Sequence, residues 1–179
     1  MSVLELRQIG DPVLRSPASE VPLGGDAPQP RITKLVDDMF ATMDQANGIG
    51  LAAPQVGVSL RIFTWDVAGS RGAVINPQLE LSGEPDFVAR EGEEDDDVLR
   101  EGCLSVRGGI YAPVARYPQV VLTGSDPDGE PIRVEAEGLL AACFQHELDH
   151  LDGKLFLDRL TGEHKKQAYR ALRSGCVAA

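Results

Sequence analysis

Apolar positions change their spacing several times along the chain, and each change marks an element. Ile32, Leu35, Val36, Met39, Phe40 and Met43 recur at helical spacing. They predict an amphipathic helix that starts near Pro30, ends at Asn47-Gly48, and buries this stripe as core. Residues 59–66 alternate and predict a strand, and Gly72-Ala-Val-Ile-Asn-Pro77 predicts a second, short one. Residues 119–124 and 130–136 predict two more, joined across the turn sequence Asp126-Pro-Asp-Gly129. From about 137 to 151 the alternation gives way to helical spacing, which Asp152-Gly153 ends. Thr161 then stands as the N-cap of a last helix carrying Lys165, Lys166, Arg170 and Arg173.

The segments between are equally informative. Residues 1–30 are rich in proline and glycine and read as an extended arm and loop. Residues 82–100 carry Glu84, Asp86, Glu91, Glu93, Glu94, Asp95, Asp96 and Asp97, the composition of a solvated, mobile acidic loop. The run lacks the glycine and terminal glutamate spacing of an EF-hand, which disfavours calcium. Gly48-Ile-Gly-Leu-Ala-Ala-Pro-Gln55 has too many small residues for a core helix. It is either a plain turn or a place where backbone approaches a ligand. No Gly-Lys-Ser/Thr follows, so it is not a phosphate loop. These elements predict an α+β fold: antiparallel β-sheets around a central α-helix, with an N-terminal amphipathic helix and a C-terminal helix. One catalytic domain spans 1–179, with 161–179 as a basic helix and tail.

Composition narrows the setting. A chain of 179 residues is long enough to bury a real core, and 42% hydrophobic with 25% charged residues is ordinary for a globular protein. No apolar run is long enough to span a bilayer, and the N-terminus lacks the regions of a signal peptide. Three cysteines at no framework spacing suit a reducing cytoplasm better than secretion. A net charge of -11 argues against binding nucleic acid or anionic membranes. A monomer is expected.

The chemistry is concentrated in the central helix, at Gln145-His146-Glu147-Leu148-Asp149-His150. Two of the chain's three histidines are here. Four residues apart on a helix, His146 and His150 share a face one turn apart, near enough to hold one metal ion. Glu147 lies about 100° round from His146, beside such an ion, where it can take a proton from water. Leu139, Ala142 and Cys143 continue that face as an apolar patch. The alternative is a helix with two hydrogen-bonded histidines and a surface glutamate. A catalytic ion wants a third protein ligand. No histidine follows His150 at the spacing of the longer zinc-peptidase motif, and His164 lies in a basic, exposed segment. Cys103, Cys143 and a distant Asp or Glu remain. Cys143 reads as a packed core thiol, whereas Cys103, in a glycine-flanked loop, is freer to reach across.

Gly48-Ile-Gly-Leu-Ala-Ala-Pro-Gln55, Glu101-Gly-Cys-Leu-Ser105 and Gln145-His-Glu-Leu-Asp-His150 together resemble the three motifs of the peptide deformylases, in the same order. Gly10-Asp-Pro-Val-Leu-Arg15 and His150-Leu-Asp-Gly-Lys-Leu-Phe156 add to the likeness, which covers most of 5–160. The resemblance implies removal of the N-formyl group from formyl-methionine on nascent polypeptides. It implies a metal held by Cys103, His146 and His150, with Glu147 as acid–base. It also implies an oxyanion site from Gln55 and the Leu104 N–H, and Gly50 presenting backbone to the substrate. Ile49, Leu139, Ala142 and Cys143 would line the methionine pocket. Fe²⁺ is the implied cellular metal, with Zn²⁺, Ni²⁺ or Co²⁺ able to substitute, and Glu101 would pair with Arg116. Two features depart from the family: the long acidic run before Glu101, and Arg107-Gly-Gly after Ser105 where many relatives have proline. Both alter the rim of the cleft. The rival readings are an H-E-x-x-H metallopeptidase and a non-catalytic relative that binds only metal or a partner. The basic last helix is either a solvated face or a contact with the ribosome.

Overall fold

The computed structural model describes residues 1–22, 29–88 and 98–175. Helix α1 (Pro30–Gln45) begins with proline, whose fixed φ suits a first helical turn, and Asn47 at φ 51° turns the chain out of it. Its buried face is the stripe read from the sequence, with Ile32, Val36, Met39 and Met43. Nine strands follow among the described residues: β1 (Gly50–Ala52), β2 (Ile62–Val67), β3 (Ser70–Ser82), β4 (Asp86–Phe87), β5 (Arg100–Glu101), β6 (Ala112–Pro113), β7 (Ala115–Arg116), β8 (Gln119–Ser125) and β9 (Pro131–Glu137). One antiparallel sheet runs in the order β1-β2-β3-β8-β9, and β4–β7 and β5–β6 form two small ribbons. Helices α2 (Gly138–Leu151), α3 (Phe156–Arg159) and α4 (Gly162–Ser174) complete the α+β architecture.

Strand β2 is buried on both faces, and this sets the layers. Ile62 joins the α1 side with Met39 and Met43, while Phe63, Trp65 and Val67 join the α2 side with Phe144. Phe63, Trp65 and Phe144 form a ring cluster with centroids 5.1 Å to 5.9 Å apart. A third core holds Val106, Ile110 and Val114 against Leu155, Phe156, Leu157 and Leu160, so α3 and its flanks support the loop after Cys103.

The sequence pattern missed strand pairing in three places. The short strand expected to end at Pro77 is the 13-residue β3. Proline has no N–H to give a ladder, but here it sits in a bulge between Ile75 and Gln78, after which pairing with β8 resumes. Asn76 holds the bulge by exchanging two hydrogen bonds with the Val21 backbone. The glycine-rich 48–55 segment contains β1, too short to show alternation, followed by a 3-10 turn at Ala53–Val56. The acidic stretch is strand-paired at its ends, Phe87 opposite Ala115 and Arg100 opposite Pro113. Residues 89–97, with most of its acidic groups and the calcium question, lie outside the described residues. So do 23–28 of the arm and 176–179 of the tail. Thr161 occupies the N-cap of α4 as expected, without a capping bond from its side chain.

Phe144 is fully buried at the centre of the ring cluster. Phe144→Ala is expected to cost about 3–5 kcal/mol in urea unfolding. A loss under about 1 kcal/mol would mean that the helix is not packed on this cluster.

Candidate active site

Helix α2 sets His146 and His150 side by side, ring centroids 4.9 Å apart. The loop after β5 brings Cys103 over them, its Sγ 3.2 Å from His150 Nε2. One donor atom from each of Cys103, His146 and His150 lies within 4.8 Å of the others. Of the candidates for a third donor, the loop thiol joins the two imidazoles. Cys143 is buried beside them but directs its thiol to the Ile49 carbonyl, 3.6 Å away. His164 is on α4 with its ring edge-on to Phe87. A thiolate with two imidazoles is a donor set suited to a borderline divalent ion.

The local field favours the forms a cation would need. Burial works against ionising Cys103, but His150 and His146 outweigh it and hold the thiol well below its ordinary value. Burial pushes the Glu147 carboxyl up to about 7, against the opposing pull of both imidazoles. Its Oε2 is buried with no hydrogen-bond partner among the described residues. Burial likewise raises the Cys143 thiol well above the ordinary range, so it stays protonated.

Around this cluster lies a cavity of about 430 Å³. Ile49, Gly50, Gln55, Leu104, Leu139, Ala142, Cys143, His146 and Glu147 all line it, while His150 stands behind, buried. Gly50 has a steric reason: a Cβ there would overlap Glu147 Oε1 and come within 2.9 Å of Cys143 Sγ. Gln55 is buried with its amide fixed. Ala52 N–H donates to its Oε1 at 2.8 Å, so Nε2 faces Ser105 Oγ at 3.3 Å and Cys103 Sγ at 3.6 Å.

Similarity to known proteins follows the same residues. The family model for polypeptide deformylase matches residues 3–166. A peptide deformylase of Mycobacterium sp. (strain JLS) is 46% identical over 181 residues, covering 97% of this chain and 89% of the relative. The chain belongs to the polypeptide deformylase family. It is thus an enzyme by kinship. The crystal structure of a deformylase from Legionella pneumophila is 36% identical with a TM-score of 0.82, covering 97% of this chain and 95% of that one. That of Synechococcus elongatus, in complex with actinonin, is also 36% identical with a TM-score of 0.80, covering 96% and 85%.

Within this deformylase, support for the cluster comes from one expected pair and from residues that sequence reading passed over. The expected Glu101–Arg116 pair is present and bidentate, at 2.7 Å and 2.9 Å. The second Glu101 oxygen also meets His146 Nδ1 at 2.9 Å, fixing the ring. Arg116 extends the network to Asp149 at 2.7 Å, and Arg159 caps Asp149 from outside. Asp149 could have been suspected as a carboxylate buried in an apolar helix. The N-terminal arm gave no such signal, because it works mainly through backbone. Arg7 N–H donates to Gln55 O and Ile9 N–H to Ser105 O, while the Gln8 side chain reaches Leu104 O.

Burial alone would raise the Glu101 carboxyl, but Arg116 and His146 outweigh it and hold it at about 2, against an ordinary 4.5. The folded value lies below the unfolded one. Its contribution, roughly 3 kcal/mol, is therefore fully present above the ordinary value and lost as pH falls toward the folded one. Acid unfolding of chelator-treated protein is expected to steepen across that window, and Glu101→Gln to lose that part of the slope. The same acid limb in both proteins would contradict the pairing.

Proposed function

We propose that the protein hydrolyses the N-formyl group of formyl-methionine at the start of nascent polypeptides, releasing formate, with one divalent ion held by Cys103, His146 and His150. The observation that carries this reading is the convergence of a thiol and two imidazoles within 4.8 Å, beside a buried carboxyl with a free oxygen. When bound, such an ion supplies a Lewis acid that polarises the formyl group and makes water a nucleophile near neutral pH.

The chain's own residues do the rest. Glu147, held at about 7 by burial, is poised to accept a proton from the attacking water and return it to the departing methionine amine. Gln55 Nε2 and the Leu104 backbone N–H donate to the formyl oxygen as negative charge develops there. Their positions are preset by Ala52 on one side and by the arm on the other. Strand β1 is at the sheet edge, so the peptide can add there as a further strand, with Gly50 presenting its backbone. Ile49, Leu139, Ala142 and Cys143 receive the methionine side chain.

A thiolate among the donors suits ferrous iron as well as zinc, so Fe²⁺ is the proposed cellular ion, with Zn²⁺, Ni²⁺ or Co²⁺ able to replace it. The enzyme is proposed to act as a monomer in the cytoplasm. Lys165, Lys166, Arg170 and Arg173 are exposed on α4 and provide a cationic contact for the ribosome. Actinonin, bound by the Synechococcus elongatus relative, is expected to occupy the same cavity.

Glu147→Ala is expected to retain about one ion per chain while formate release from formyl-Met peptides falls by about 10²-fold or more. Retained turnover would remove Glu147 from the reaction. Cys103→Ser should lose metal on dialysis, and normal metal content would assign the third ligand elsewhere. The iron-loaded enzyme is expected to lose activity in air while the zinc form does not. Equal survival would contradict this expected sensitivity to air.

A further inference from the structure

The cavity does not end at the Cys103–His146–His150 cluster. It runs on to a rim formed by Leu99 and Arg100 at the start of β5 on one side and by the turn from Arg107 to Tyr111 on the other. Two guanidinium groups stand on this rim, and both residues are exposed. Arg100 is steadied by a 3.0 Å bond from its Nη2 to the Tyr111 carbonyl, but has no carboxylate partner among the described residues. Arg107 has neither a hydrogen bond nor an ion pair among them. Elsewhere Arg7, Arg15, Arg61, Arg71, Arg116, Arg133 and Arg159 pair with a carboxylate, while Arg31, Arg170 and Arg173 have no ion pair among the described residues but lie away from the cavity lining.

The cavity offers the rim no internal partner either. Its described lining residues include two carboxylates, Glu101 and Glu147. Arg116 and His146 engage the first, and the second is buried beside the metal-ligand cluster. Arg107 is followed by Gly108 and Gly109, both at positive φ (97° and 60°), so the next two residues put no side chain beside it. A Cβ at Gly109 would meet nothing within 4 Å. An approaching carboxylate therefore finds an open, planar fork that can bind both its oxygens.

We propose that Arg107, assisted by Arg100, selects formylated peptides with an acidic side chain a few residues after the methionine. The inference rests on the deformylase reading above. With methionine in the apolar end, an extended peptide advances about 3.3 Å per residue and turns alternate side chains to opposite walls. The charge preference therefore falls mainly on one position. With a net charge of -11 the chain as a whole repels acidic peptides, so any preference for them has to arise locally.

The test uses the full, metal-loaded chain and formate release from formyl-Met peptides of equal length. These carry Glu, Gln or Lys at the second, third or fourth residue. At one position Glu is expected to exceed Gln in kcat/KM by about fivefold, the scale of an exposed ion pair, chiefly through a lower KM, with Lys below Gln. The Glu/Gln ratio should shrink in about 0.5 M salt. It should fall to about one in Arg107→Gln and invert in favour of Lys in Arg107→Glu. Equal turnover of all three peptides by the wild type would overturn the inference and leave the deformylase reading intact. Discrimination that persists in both variants would also overturn it. No formate from any peptide would overturn the deformylase reading itself.

Discussion

One guanidinium joins the two halves of the site. Arg116, buried on β7, grips Glu101 at the end of β5, where the Cys103 loop begins, and Asp149 on α2. The thiol and the imidazoles come from segments more than forty residues apart in sequence, and nothing in either segment alone brings them together. Two carboxylates buried without a cation would each carry a large desolvation cost. With Arg116 between them they are satisfied only when loop and helix are in register. The same Glu101 fixes the His146 ring through Nδ1, leaving its other nitrogen for the cluster.

Stability and chemistry are therefore coupled through shared atoms. The aromatic cluster of Phe63, Trp65 and Phe144 seats α2 on the sheet and so determines where His146 and His150 can be. The Leu155–Leu160 segment packs behind the Cys103 loop and determines how far the thiol reaches. The arm closes the arrangement by bonding to Gln55, Leu104 and Ser105, backbone and side chain together. Burial then does chemical work. It raises Glu147 to about 7, while the imidazoles hold Cys103 toward thiolate.

Local spacing carried much of this into the sequence. The i, i+4 histidines and the apolar face through Leu139, Ala142 and Cys143 follow from helix geometry, whereas the place of Gly50 beside the site came only with the family resemblance. The fold class followed from the change between two-residue and helical periods. What did not show were interactions made by backbone groups or across long separations. The arm's bonds to Gln55 and Ser105 use main-chain atoms that every residue has. The bridge from Arg116 to Asp149 spans 33 residues with no repeat to mark it. Pro77 was misleading because its usual meaning, the end of a strand, is overruled by a bulge that Asn76 holds in place.

The coordination of an added zinc ion is the most direct test of the whole arrangement. X-ray absorption on the zinc-loaded protein should give one sulfur at about 2.3 Å and two imidazole nitrogens at about 2.0–2.1 Å, with the sulfur lost in Cys103→Ser. A nitrogen- and oxygen-only shell in the wild type, or a sulfur that persists in the variant, would show that the loop thiol and the helix imidazoles do not share an ion.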